Sequence, residues 1–264
     1  MIDIHCHVLP GVDDGSRNLE ESIELIISAQ KLGYKKLCCT SHYKTGMYQN
    51  KNYDKNLNDL RKELKKREID IELLEGNELY LDIDGLSGLK AKKVNTLNKG
   101  SYLLVEAMPG MTYMVLKKYL EKIFQMKYKV VLAHVERYSF INKKSLHELK
   151  KMKVVTQVNL KSLRHKKNIY EWIELGLIDI LSSDAHDRKY RNYELEDVIT
   201  DIENKFGIET RKKLLEENPK KIINSEGIEY IEDIKGEIDE KKVSDTSTDN
   251  NNFIKRFFKK LKLR

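Results

Sequence analysis

The chain has 264 residues, 40% hydrophobic and 34% charged, with 49 Lys+Arg against 42 Asp+Glu for a net charge of +7. Those totals suit one well-filled domain, or one domain with an appendage, and exclude a chain too polar to bury a core. No run approaches the roughly 18 uncharged apolar residues of a membrane helix, no basic-then-apolar leader opens the chain, and Cys6, Cys38 and Cys39 lack framework spacing, so reduced thiols and a cytoplasmic setting are expected.

The opening run MIDIHCHVLPGVDDG predicts a strand whose residues i and i+2 share a side, so His5 and His7 face one site and Cys6 turns into the core. Asp13 and Asp14 follow between Gly11 and Gly15, and turn chemistry accounts for Asp13. NLEESIELIISAQKLG predicts a helix with Asn18 as N-cap, Glu21 as its capping-box partner, Gly33 as the stop, and Leu19, Ile23, Ile26 and Ile27 on one face. The next strands are KKLCCTSH, ending at His42, and IDIELLEGNEL, carrying Glu78. Then come SYLLVEAM with Glu106, KVVLAHV with His134, VVTQVNL, and IDILSSDAH with Asp184 and His186. Helices are predicted over 53–68, 112–127, 145–152, 166–175, 192–205 and 209–217, and no element is predicted over 84–98.

Sustained strand–helix alternation predicts an α/β fold with parallel strands. An open sheet and a barrel fit the alternation equally. The ionisable groups favour a barrel, because side chains at the ends of many different strands converge only when the strands form a ring.

Glu106 interrupts an otherwise apolar strand, as do His134, Asp184 and His186, and a buried carboxylate needs a cation or hydrogen bonds. Five of the seven histidines stand at predicted strand ends, while His147 and His165 fall in helix or loop sequence and are expected to be exposed. Imidazoles and carboxylates without a thiolate suit Mn²⁺, Fe²⁺ or Zn²⁺, and so many ligands imply two or three ions. Arg137 and Arg191 lie just beyond the same rim and suggest an anionic, phosphate-bearing substrate.

In this order the residues resemble the polymerase-and-histidinol-phosphatase (PHP) superfamily. More closely, MIDIHCHVLPGVDDG, TSH of 40–42, GNELY of 76–80, AHVERY of 133–138, TQVN of 156–159, SSDAH of 182–186 and ENPKKII of 217–223 resemble the manganese-dependent tyrosine phosphatases of Gram-positive capsule and exopolysaccharide clusters. The resemblance implies a distorted (β/α)7 TIM-like barrel, the PHP fold, over 1–224, with three divalent ions, Mn²⁺ foremost. It places His5, His7, Glu78 and Asp184 on one ion, has Glu78 bridge to a second with Glu106 and His134, and gives Asp14, His42 and His186 the third. Arg137 and Arg191 would bind phosphate and, with Asp14, form the catalytic set. DRKYRNY after His186 departs from the family's proline-containing version.

The implied activity is hydrolysis of phosphotyrosine on the tail of a membrane-associated polysaccharide-assembly kinase. Cysteine-based phosphatase chemistry is excluded, since no cysteine has an arginine six positions on. The rival readings are a histidinol-phosphate or other small-phosphomonoester phosphatase, a metal-dependent amidohydrolase, and a regulatory module without catalysis.

After the barrel, 225–252 carries nine acidic residues against three lysines and predicts a flexible linker. FIKRFFKKLKLR at 253–264 carries six cations and no acid, and predicts a basic amphipathic helix for an anionic membrane surface. That tail would place the enzyme peripherally at the inner face of the cell membrane. The lysines of the body lack the arginine and aromatic interleaving of RNA-binding surfaces, so nucleic acid is not an expected partner.

Overall fold

The computed structural model of the chain describes residues 1–228. Its strands are β1 (Ile2–Cys6), β2 (Lys36–Cys39), β3 (His42–Tyr43), β4 (Glu72–Glu75), β5 (Glu78–Leu81), β6 (Tyr102–Ala107), β7 (Lys129–Leu132), β8 (Val155–Asn159) and β9 (Ile180–Ser182). All named strand pairs are parallel, in the orders β1-β2-β4 and β3-β5-β6-β7-β8-β9. The predicted strands KKLCCTSH and IDIELLEGNEL are each broken in two, at Thr40–Ser41 and at Gly76–Asn77, where the backbone leaves one sheet for the other. Beyond β9 the chain returns to β1: Asp184 N–H donates to His5 O at 2.8 Å and His7 N–H to Ala185 O at 2.8 Å. The parallel sheet is therefore strongly curled, in the manner of a TIM-like fold.

Around the strands lie α1 (Leu19–Lys31), α2 (Tyr53–Lys66), α3 (Ile83–Lys90), α4 (Tyr113–Gln125), α5 (Lys143–Lys151), α6 (Asn168–Glu174) and α7 (Glu196–Phe206). Each of the first six predicted helices has a counterpart within a few residues of its expected ends. The last, predicted over 209–217, is longer: α8 (Ile208–Lys212) and α9 (Asn218–Ile223) are joined by a π-helical stretch at Lys213–Glu217. The main core lies between strands and helices. Cys6 of β1, Leu37 and Cys39 of β2, and Ile23, Leu25 and Ile26 of α1 belong to it and are at most 1% exposed. Asn18 caps α1 as expected, accepting from Glu21 N–H. The Glu21 carboxylate instead accepts from Arg17 N–H at 2.9 Å, so no capping box closes, and Leu19 stays exposed.

Helix α3 falls where no element was predicted. Its sequence IDGLSGLK contains two glycines, which disfavour helix. Packing requires both: a Cβ on Gly85 would sit 2.2 Å from Tyr80 O, and one on Gly88 would sit 2.7 Å from the Tyr43 ring. Asp82 supplies the missing start signal by accepting from Gly85 N–H at 2.6 Å.

Ser225 and Glu226, the start of the predicted linker, are pinned to the body. Ser225 Oγ accepts from Ser101 N–H at 2.9 Å, and Glu226 O accepts from Tyr102 OH at 2.9 Å. Residues 229–252 of the predicted linker and the whole 253–264 tail lie outside the described residues. Among the described residues no helix is long and apolar enough to cross a membrane.

Candidate metal centre

The centre is assembled where β1, β6, β7 and β9 end and where β3 and β5 begin. A register shift in β1 between Asp3 and Cys6 leaves Asp3 on the helix side with Tyr193, while His5 and His7 point together into the centre; all three are fully buried. His42 opens β3, Glu78 opens β5, Glu106 lies in β6, His134 follows β7, and Asp184 and His186 follow β9. Asp14 reaches in from the loop after β1 and is the most exposed member, at 49%. The structure brings all nine of these predicted side chains together, while His147 and His165 lie apart and exposed.

Glu78 is the hub. Its Oε2 lies 3.2 Å from His5 Nε2, 3.2 Å from His7 Nε2 and 3.3 Å from His42 Nδ1, and its Oε1 lies 2.8 Å from His134 Nε2. Four sets have ligand atoms close enough to share an ion: His5, His7 and Asp184; His5, Glu78 and His134; His42, Glu78 and Glu106; and His7, Asp14, His42 and His186. The grouping differs from the expected one. Glu78 is absent from the set of His5, His7 and Asp184; His7 also joins Asp14, His42 and His186; His42 takes the place beside Glu78 and Glu106; and His134 groups with His5 and Glu78, its Nε2 standing 4.0 Å from Glu106.

The donor set fits divalent cations. Nitrogen and carboxylate oxygen without thiolate is the chemistry of Mn²⁺, Fe²⁺ and Zn²⁺. His186 Nε2 is buried without a hydrogen-bond partner, 3.7 Å from Asp14 Oδ1, an orphan that a metal ion would satisfy. Electrostatics agree. Burial alone would lower the His5 pKa, yet Glu78 and Asp184 outweigh it and hold it up at about 9. His42 is likewise held at about 10 against its burial by Glu78 and Glu106. Burial would raise the Glu78 carboxyl, but His5, His134 and His42 hold it well below the usual range. The pocket draws positive charge to its centre, and protons occupy that role when no metal does.

Two of the nine groups sit on strained backbone: His134 has φ 33° and Asp184 has φ 52°, the left-handed region that non-glycine residues seldom adopt. Such conformations persist where neighbours enforce them. Here Gln157 Oε1 accepts from His134 N–H at 2.8 Å, and Asp184 N–H is held by His5 O.

Four further residues fix the cluster, and the sequence reading assigned none of them. Asp13 is more than a turn residue: one oxygen accepts from Gly15 N–H, while the other lies 2.7 Å from His7 Nδ1 and accepts from His42 N–H at 2.8 Å. Gln157 Oε1 lies 3.0 Å from His5 Nδ1. Asn159 Nδ2 donates to Asp184 Oδ2 at 2.7 Å, and Tyr138 OH lies 3.1 Å from His134 Nδ1. Gln157 and Asn159 do carry a signal, since two amide side chains interrupt the buried strand VTQVN.

Both arginines turn toward the same carboxylate. Arg137 donates to Asp184 Oδ2 and Arg191 to Asp184 Oδ1, each at 2.7 Å. The DRKYRNY loop holds Arg191 in place by its backbone, where Arg191 O accepts from His186 N–H at 2.6 Å and Asp187 N–H at 3.0 Å. Arg191 Nε is buried without a partner, and the Arg137 and Arg191 side chains are 43% and 36% exposed.

Comparison with known proteins bears on this arrangement. A family model described as "Capsular polysaccharide synthesis, CpsB/CapC" matches residues 1–224. The tyrosine-protein phosphatase CpsB of Streptococcus pneumoniae is 30% identical over 84% of this chain and 98% of its own length. The tyrosine-protein phosphatase YwqE of Bacillus subtilis strain 168 is 30% identical over 86% of this chain and 93% of its own. A solved structure from work on YwqE and S. pneumoniae CpsB, described there as unique metal-dependent tyrosine phosphatases, superposes with a TM-score of 0.78 at 28% identity, covering 87% of this chain and 96% of that one.

Proposed function

Because the chain belongs to the CpsB/CapC capsular polysaccharide synthesis family, we propose that it is a metal-dependent protein-tyrosine phosphatase. Its substrate on this reading is the phosphotyrosine-bearing tail of a membrane-associated tyrosine kinase of capsule or exopolysaccharide assembly. The observation that carries the proposal is the convergence of nine ligand-type side chains, Glu78 at their centre, beside two partly exposed arginines, of which Arg191 has an unpartnered Nε. We read the curled sheet as a distorted (β/α)7 barrel and the centre as a site for three ions, Mn²⁺ before Fe²⁺ or Zn²⁺. His5, His7, Asp14, His42, Glu78, Glu106, His134, Asp184 and His186 would hold them.

Divalent ions in such a cluster supply a nucleophile at neutral pH by lowering the pKa of water, and they neutralise phosphoryl charge. The protein's own part is positioning. Arg137 and Arg191 would grip the phosphoryl oxygens, stabilise charge on the equatorial positions and align the ester for in-line displacement. A tyrosine phenolate, with a pKa of about 10, leaves with less proton assistance than an alkoxide. Asp14 is the solvent-facing member of the outer ligand set.

The experiment is phosphate release from a phosphotyrosyl peptide and from histidinol phosphate, with Mn²⁺ and with a chelator. Chelator-sensitive release from the peptide is expected. Release from histidinol phosphate alone would instead favour the small-phosphomonoester reading, and release from neither would overturn the phosphatase assignment. We further infer a cytoplasmic protein that the 253–264 tail brings peripherally to an anionic membrane. Removing 253–264 should abolish co-sedimentation with anionic vesicles and spare peptide hydrolysis; unchanged sedimentation would refute the tail's role.

A further inference from the structure

The hydrogen bonds around Gln157 have only one consistent direction. The His134 N–H is a backbone donor and cannot accept, so the side-chain atom facing it must be the Gln157 carbonyl oxygen. Gln157 Nε2 is therefore the atom that meets Asn159, and it donates to Asn159 Oδ1 at 2.8 Å. Asn159 is thereby left with Nδ2 toward Asp184 Oδ2. The amide orientations follow from a backbone donor at one end and a carboxylate at the other. The same Gln157 oxygen faces His5 Nδ1, so that nitrogen must carry its hydrogen, and the Nε2 lone pair is left for the interior of the cluster.

We propose that Gln157 is a positioning residue that ties together His5, His134 and Asp184, ligands from three different strands, whereas Asp13 holds His7 and His42, with His7 shared between the two groups. Asp13 repeats the device: one oxygen serves the Nδ1–H of one ligand and the backbone N–H of another. The side chains of His5, His134 and Asp184 are at most 5% exposed; His7 is equally buried, and the set widens toward solvent through His42 at 15% and Asp14 at 49%. Two classes of ion site follow, a tight inner class that depends on Gln157 and a weaker outer class that depends on Asp13.

The inference rests on the metal-centre reading, and one titration separates the two. Metal-stripped full-length chain is titrated with Mn²⁺, and free ion is read by electron paramagnetic resonance. If the wild-type chain binds no Mn²⁺, the metal-centre reading fails and this inference with it. Otherwise, Gln157→Leu is expected to weaken the tight class by about 10–100-fold and leave the weak class in place. Asp13→Ala is expected to do the converse. Gln157→Glu keeps an acceptor for His5 and His134 and should restore most of the tight binding, a rescue that a merely structural role would not produce. Should Gln157→Leu fail to fold, Asn159→Ala carries the test, since it cuts the Asp184 branch alone and should weaken the tight class by several-fold. Loss of both classes equally, or wild-type binding in the variants that fold, would overturn the inference.

Discussion

Arg137 donates to Asp184 at 2.7 Å, so a residue proposed to bind phosphate already neutralises a residue proposed to bind metal. The pairing gives Arg137→Ala opposite effects on two measurements. Activity on a phosphotyrosyl peptide should fall by about 10²–10³ in kcat/KM, the usual consequence of removing one preorganised donor from a developing anion. Affinity for Mn²⁺ should rise, because Asp184 is released from a competing cation. Arg137→Lys should recover little activity, since an ammonium cannot offer two parallel donors. Metal affinity and activity falling together would contradict this division of roles.

Glu78 touches four imidazoles, and no other carboxylate of the cluster touches as many. Glu78→Gln retains the shape and removes the charge. The variant should lose at least one ion per chain by metal analysis and more than about 10³-fold in kcat, with both deficits persisting at saturating peptide. Full metal content in this variant would remove Glu78 from the ligand set.

The metal-free chain should also show a pH signature. His5 and His42 are held at about 9 and about 10 in the folded chain, against about 6.5 when unfolded. A raised folded pKa means the stabilisation is fully present below about pH 6.5 and is lost as pH rises through about 9 to 10. Imidazoles engaged by metal have no such proton to lose. The melting midpoint of chelator-treated protein should therefore drop between about pH 7 and pH 9.5 by more than that of the loaded protein. Equal drops would count against the cluster as their cause.

What the sequence disclosed follows from how each signal is generated. An ionisable group that interrupts an apolar strand is visible in one dimension, and the period-2 rule then sorts His5 and His7 from Cys6. All nine cluster members were legible this way, or by resemblance in the case of Asp14. Asp13 gives no such signal because turn chemistry between Gly11 and Gly15 accounts for it locally, while one of its oxygens serves His42, 29 residues away. Gln157 and Asn159 interrupt their strand as plainly as Glu106 does, but amides carry no charge that demands a partner. Asp3 was hidden by its position near the start, although it is fully buried and accepts from Ser183 Oγ and Tyr193 OH.

Asp3 is expected to be a stability residue. Asp3→Ala would leave the Ser183 and Tyr193 hydroxyls buried without their acceptor. A loss of about 2–4 kcal/mol is expected from urea denaturation of the metal-free chain. Tyr193→Phe removes one donor and should cost about 1 kcal/mol. A cost for Asp3→Ala no larger than that of Tyr193→Phe would show that the carboxylate is not the anchor.

Helix α3 offers a test in which sequence propensity and packing give opposite signs. On propensity alone, Gly88→Ala should stabilise a helix by roughly 0.5–1 kcal/mol. The structure reverses the sign, because the added Cβ would lie 2.7 Å from Cε1 and OH of Tyr43. Tyr43 belongs to β3, next to His42, and is 3% exposed, so its ring has little room to retreat. Overpacking of this kind costs about 1–3 kcal/mol. Gly88→Ala should thus be destabilising in thermal denaturation, and Tyr43→Leu in the same chain should relieve part of the penalty, since it removes the atoms that clash. A stabilised Gly88→Ala variant would show that α3 does not pack against β3 as described.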